Sequence, residues 1–135
     1  MKTILFVCTG NTCRSPMAAA IYRAMGGVSM SAGLHADAGA PASYNARLAM
    51  AARNLSLSSH RAAQVTEDMV RAADLVVCMT PRHQQALRER YPAHADKIIC
   101  MPLPVPDPYG GSEADYMACA GIIQRGLEQL VRDAP

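Results

Sequence analysis

The sequence has no tryptophan, one phenylalanine and five tyrosines among 135 residues. Its interior must therefore be filled by Ala, Leu, Ile, Val and nine methionines rather than by rings. No apolar run comes near the roughly 18 residues that a membrane-spanning helix needs, which excludes that class. A strong charge of one sign is also missing. The formal net charge is +2, too little to hold nucleic acid or a membrane surface by bulk electrostatics. The cysteines form no Cys-x-x-Cys pair, and His35, His83 and His94 have no metal-ligand spacing, so neither a metal nor another cofactor is expected. No secretory leader is expected, because a polar loop beginning at Cys8 follows almost at once. Five cysteines, an odd number, point to a reducing compartment, the cytoplasm, rather than to a disulfide framework. The length suits one domain, 1–135, with one core, and a monomer is expected.

What is there is concentrated near the N-terminus, in Cys8-Thr9-Gly10-Asn11-Thr12-Cys13-Arg14-Ser15. The apolar run Thr3-Ile4-Leu5-Phe6-Val7 before it has the length and branching of a buried strand. Ser15-Pro16 after it reads as a helix start, with the hydroxyl as cap and proline in the first helical position. A tight strand-to-helix loop points successive N–H groups inward and adds the helix dipole, so it binds anions. Gly10 is expected to take backbone angles closed to other residues, and Asn11 to tolerate the left-handed region. A cysteine at the bottom of that cradle is favoured as thiolate over thiol. Arg14 can close over the cradle with a planar fork that matches two phosphoryl oxygens, and Ser15 can donate to the sulfur. One loop thus carries a nucleophile, an oxyanion cradle and a clamp.

Strand and helix patterns alternate along the rest of the chain. A helix is expected over Met17–Met25, with Met17, Ile21, Ala24 and Met25 on one face, stopped by Gly26-Gly27. Val28–Ser31 is a short strand, and Ala32–Ser43 reads as a loop. Ser43, Thr66 and Thr80 each stand where a helix cap is needed, before segments reaching about Arg53, Ala72 and Arg90. Leu75–Met79 and Ile98–Met101 are further strands, and Ser112 with Asp115 suggests the capped start of a last helix reaching about Arg132. The strands are continuous apolar runs. That predicts a single-domain, three-layer α/β fold: a central four-stranded parallel sheet with helices on both faces. Ligands in such sheets sit at strand carboxyl ends, where Cys8 lies.

Attack by Cys8 on phosphorus needs a proton for the leaving group. Asp107, in Asp107-Pro108-Tyr109-Gly110-Gly111, is the best source: a proline-fixed, glycine-flanked loop can set a carboxyl over a site. By residue type alone the same stretch more often reads as just a turn. Cys78, Cys100 and Cys119 fall in strand or helix patterns and read as core.

At Cys-x5-Arg-Ser in the first strand–helix turn, with its internal Gly-Asn and the following Ser-Pro-Met-Ala, the chain resembles the low-molecular-weight protein tyrosine phosphatases. The resemblance runs from the first strand to the last helix. It implies phosphorylated protein substrates and a phosphocysteine intermediate on Cys8. Residues Thr9 to Ser15 would bind the phosphate, Arg14 as the clamp and Ser15 as an aid to the thiolate. Asp107 would be general acid and then base, and Tyr109 would line the cleft. Ser31 and His60 would support the loop asparagine, Asn11. Cys13 would be a redox partner for Cys8, although by itself it is as well read as a small buried residue. Thr12 resembles the threonine of the branch that removes phosphate from arginine, where tyrosine-specific members usually have an aliphatic residue. Asp107-Pro-Tyr-Gly-Gly resembles that branch's Asp-Pro-Phe-Gly-Gly, and Thr80 stands where many tyrosine-specific members are acidic. Tyr109 in place of Phe, and a shorter, proline-rich segment before Asp107, depart from the branch. The reading is a phosphoarginine phosphatase. Its alternatives are a phosphotyrosine enzyme of the same fold, a thiol-dependent arsenate reductase, and an inactive phosphate-binding module.

Overall fold

The structure, a computed structural model, describes residues 1–133. Its centre is β1 (Thr3–Cys8). Side chains alternate across a strand, and here both sets are apolar and buried. Ile4, Phe6 and Cys8 face one layer, while Leu5 and Val7 face the other. β1 is therefore an interior strand. It pairs in parallel with β2 (Val28–Gly33) on one side and β3 (Leu75–Cys78) on the other. β4 (Ile98–Cys100) completes an all-parallel sheet of order β2-β1-β3-β4. The chain steps from β1 to one neighbour, then returns past β1 to the other. That reversal opens a crevice at the carboxyl end of β1.

On one face lie α1 (Arg14–Ala24), α2 (Tyr44–Ala51) and α5 (Glu113–Asp133). They share a core in which Phe6 meets Tyr22 edge-to-face at 5.8 Å, in a layer built mostly from aliphatic side chains and methionines. On the other face, α3 (Glu67–Ala72) and α4 (Pro81–Arg90) cover Leu5, Val7 and Val76 with Val70 and Leu87. The caps form as their residue types dictate. Ser43, Thr66 and Thr80 accept from the N–H groups of Ala46, Met69 and His83. Ser112 and Asp115 cap reciprocally, each side chain accepting from the other's backbone N–H, at 3.2 and 2.9 Å.

Four expectations are corrected. Ser15 does not cap α1. The helix begins two residues before the expected Pro16, at Arg14, with Cys13 as a cap residue that makes no side-chain bond. Ser15 and Pro16 lie within the first turn, where a missing N–H costs nothing. Ala24 is exposed, because α1 is covered all round only as far as Tyr22, between sheet, α2 and α5. β2 runs on to Gly33, which pairs with Cys8. Finally, Gly10 does not adopt a positive φ. That burden falls on Asn11, at φ 58°, and the crowded glycine is Gly33. A Cβ at Gly33 would stand 2.6 Å from the Thr9 carbonyl oxygen and 3.1 Å from the Asn11 nitrogen. Nothing there is the far end of a flexible side chain, so the loop backbone itself would have to move.

Gly33→Ala should therefore cost about 1–3 kcal/mol, as overpacking does, and should weaken oxyanion binding, because the displaced atoms belong to the loop. Urea denaturation and phosphate titration of the variant check this. An unchanged midpoint with unchanged phosphate affinity would contradict the close contact.

Candidate active site

Cys8 ends β1 and Arg14 begins α1, so residues 9–13 must close the gap within one turn. Asn11 closes it. It is fully buried and left-handed, and its side chain is satisfied at both ends. Its Oδ1 accepts from the Ala63 N–H at 2.9 Å, and its Nδ2 donates to Ser15 Oγ at 2.8 Å. Since an amide nitrogen only donates, Ser15 Oγ is the acceptor there and its own proton is left for Cys8 Sγ, 2.9 Å away. His60 Nε2 lies 2.8 Å from the Asn11 carbonyl oxygen, an acceptor, and therefore carries the proton. Ser31 does not join this network. It makes no hydrogen bond to Asn11, whose amide is already used by Ser15 and Ala63. Asn11 and Ser15 lie beneath the loop, fully buried.

Above the loop, a cavity of about 250 Å³ is lined by Cys8, Thr9, Gly10, Thr12, Cys13, Arg14, Asp107 and Tyr109. Every one of these is a residue the sequence points to as part of the site. Arg14 is buried, 6 % exposed, and its Nη1 donates to the Val105 carbonyl at 3.2 Å. Its Nη2 stands 3.7 Å from Asp107 Oδ2. The Asp107 carboxyl is 57 % exposed and is steadied by the Tyr109 N–H, which donates to Oδ1 at 3.1 Å. Tyr109 itself is 81 % exposed at the mouth. The set can hold a phosphoryl group between backbone donors and a guanidinium, with a sulfur beneath it and a carboxyl above.

Cys13 is pinned from behind. Its Sγ lies 3.3 Å from Tyr116 Oη and 3.5 Å from Ser43 Oγ. Burial, and then the hydrogen bond with Cys13, push the Tyr116 phenol up to about 12, so it remains protonated at neutral pH. Of the other thiols, Cys78 and Cys119 are core and Cys100 is half-buried. Burial raises Cys78 to about 12 and Cys119 to about 11, and raises Cys100 as well.

Sequence reasoning missed His83. The sequence offers it only as a candidate metal ligand without the right spacing, yet it props the loop from α4. Nε2 is 2.9 Å from Thr9 Oγ1 and Nδ1 is 3.1 Å from Thr80 Oγ1. Thr80 Oγ1 accepts the His83 backbone N–H, so its proton is free for Nδ1, and Nε2–H donates to Thr9. No local motif announces this, because 74 residues separate the partners. Burial, followed by the Arg14 guanidinium, holds the imidazole down at about 4. Arg82 acts in the same direction and Asp107 opposes them.

That depression has a consequence for stability. An unfolded chain's histidine titrates near 6.5. Between 6.5 and about 4 the unfolded chain takes up the proton and the folded chain does not. The contribution is therefore complete above 6.5 and is lost as pH falls through that window. The wild-type Tm should fall more steeply between pH 6.5 and 4 than that of His83→Gln. Parallel pH profiles would show that His83 is not held neutral.

The sequence matches the model of the family described as "Low molecular weight phosphotyrosine protein phosphatase" over residues 3–134. It is 38 % identical to the "Probable low molecular weight protein-tyrosine-phosphatase EpsP" of Ralstonia nicotianae, over 97 % of this chain and 94 % of that protein. It is 33 % identical to the "Protein-arginine-phosphatase" of Bacillus subtilis, over 96 % and 94 %. Among solved structures, the YwlE arginine phosphatase from Geobacillus stearothermophilus superimposes with a TM-score of 0.92 at 32 % identity, over 98 % of this chain and 92 % of that one. The relatives carry both names, but the family model matches nearly the whole chain: the chain belongs to the low-molecular-weight phosphotyrosine protein phosphatase family.

Proposed function

We propose that this phosphatase hydrolyses phosphoarginine in proteins through a phosphocysteine on Cys8. The observation that carries the reading is the single cavity in which Cys8, Arg14 and Asp107 meet with Thr12 and Tyr109 at its wall. Arg14 and the loop N–H groups hold the three non-bridging oxygens. Cys8 Sγ, as thiolate, attacks phosphorus in line. The P–N bond breaks, and Asp107 protonates the departing guanidine nitrogen. In the second half, Asp107 takes a proton from water, the water oxygen attacks phosphorus, and the S–P bond breaks to give phosphate and the cysteine. Ser15, donating to Sγ, stabilises the sulfur's negative charge before attack and as it leaves. The carboxyl, more than half exposed, exchanges its proton readily with solvent between the two halves.

The preference for arginine rests on Thr12 and on relatives from Bacillus subtilis and Geobacillus stearothermophilus that bear the name protein-arginine-phosphatase. Thr12 has a branched, polar side chain at the cleft wall. It narrows the slot against a phenyl ring and offers its hydroxyl to a guanidinium. The second reading, phosphotyrosine, is favoured by relatives named as tyrosine phosphatases.

The deciding experiment is kcat/KM on matched phosphoarginine and phosphotyrosine peptides. Wild type should prefer phosphoarginine, and Thr12→Ile should shift the ratio toward phosphotyrosine by roughly tenfold or more, the scale of a small change in pocket shape. Wild-type turnover of phosphotyrosine that equals or exceeds phosphoarginine, unmoved by Thr12→Ile, would favour the second reading.

Two variants test the chemistry shared by both readings. Cys8→Ser should abolish turnover, and full activity in it would sink the mechanism. Asp107→Asn should lower kcat by about 10²–10⁴-fold, the range of a lost general acid. An undiminished rate in Asp107→Asn would mean the proton comes from elsewhere.

A further inference from the structure

Ser31, expected beneath the catalytic loop, opens instead onto a separate cavity of about 460 Å³. Its wall is polar save for one leucine, and is made by Arg23, Ser31, Ser56, Ser59, His60 and Arg61. No carboxylate lines it. Neither arginine has an acidic partner within 4.0 Å among the described residues. Both are nevertheless held in place. Arg23 Nη1 donates to Ser29 Oγ at 3.1 Å, and that hydroxyl is itself fixed on the Ala19 carbonyl. Arg61 Nη1 donates to the His60 carbonyl at 2.7 Å. Each guanidinium thus uses one nitrogen on the protein and keeps the others for a ligand. The hydroxyls of Ser31 and Ser59 have no protein partner among the described residues.

We propose that this cavity is a second oxyanion site, one that takes a phosphoryl group, free or on a small ester. Two anchored guanidiniums with no counter-charge, lining one cavity with two unengaged hydroxyls, supply the positive charge and the hydrogen-bond donors that a tetrahedral oxyanion takes. An exposed pair of cations without a carboxylate also repels itself, and an anion between them removes that repulsion. The site shares no lining residue with the catalytic cavity, so it stands whichever phosphorylated residue the enzyme prefers. It is not isolated from the catalytic loop, however. His60 lines it and is bonded through Nε2 to the carbonyl of Asn11, the left-handed residue that holds the loop in shape. Occupancy therefore reaches the loop through one hydrogen bond.

The test separates the two sites. One equivalent of orthovanadate is first bound at Cys8, the stoichiometry being checked by loss of turnover. A failure at this step would concern the catalytic loop and not the second site. Inorganic phosphate and O-phosphoserine are then titrated separately into the loaded enzyme by calorimetry and ¹⁵N NMR. One further equivalent of at least one of them should bind, with amide shifts at His60, Arg61 and Asn11. Arg23→Ala/Arg61→Ala should weaken that binding at least tenfold with vanadate inhibition intact. Both arginines are exposed, and Ser59→Glu, which puts a carboxylate at the cavity wall, provides a second variant with the same expected loss. Tighter phosphate assigns the free anion, and tighter O-phosphoserine an ester. No second equivalent of either, or equal binding in the variants, overturns the site.

Discussion

The satisfaction of one buried amide holds the catalytic loop together. Asn11 is fully buried in a left-handed conformation, and its side chain and backbone carbonyl together tie three parts of the chain to one another. Oδ1 holds the Ala63 backbone, Nδ2 holds Ser15 at the start of α1, and the carbonyl is held by His60. A buried donor or acceptor stripped of its partner costs about 1–3 kcal/mol, and an alanine here would strand the Ala63 N–H and leave Ser15 Oγ without its donor. The same bond also sets direction. Because Nδ2 fills the acceptor role of Ser15 Oγ, the hydroxyl proton is aimed at Cys8 Sγ. Loop shape and the hydrogen bonding of the sulfur are thus one constraint.

Around this constraint the fold does two things. The parallel sheet reverses its walk beside β1, so the loop opens into a crevice rather than against a neighbouring connection. The helices on either face then brace the loop from opposite sides. From α5, Tyr116 reaches Cys13; from α4, His83 reaches Thr9. Both braces are neutral at physiological pH, since burial raises the phenol and lowers the imidazole. The guanidinium of Arg14 is therefore the buried positive charge beside the loop, and an incoming dianion meets no competing buried carboxylate among the described residues.

Much of this was legible in the residues. β1 was readable because it is apolar on both faces, and the capped helices because Ser43, Thr66, Thr80 and Ser112 stand directly before helical periodicity. Cys8, Arg14, Asp107, Thr12 and Tyr109 were named as one site and do share one cavity. Where residues and structure part, the reasons differ. Ser15 is no cap because α1 already starts at Arg14. Gly10 keeps ordinary angles because its neighbour Asn11 takes the left-handed conformation. Ser31 gives Asn11 no support because that amide is already used by Ser15 and by Ala63, 52 positions on.

The sequence by itself determined the local frame of the proposed chemistry. The proposed nucleophile, the proposed clamp and a helix start lie within eight residues, and short-range hydrogen bonding and backbone preference act over that distance. Only the tertiary structure decided what meets the loop from outside: Ala63 and His60 on Asn11, His83 on Thr9, Tyr116 on Cys13, and Gly33 pressed against the loop backbone. The same holds for the cavity of Arg23 and Arg61, cations 38 positions apart in sequence that line one wall. Such contacts depend on sheet order and helix packing, which bring distant segments together without leaving a periodicity or spacing in either one.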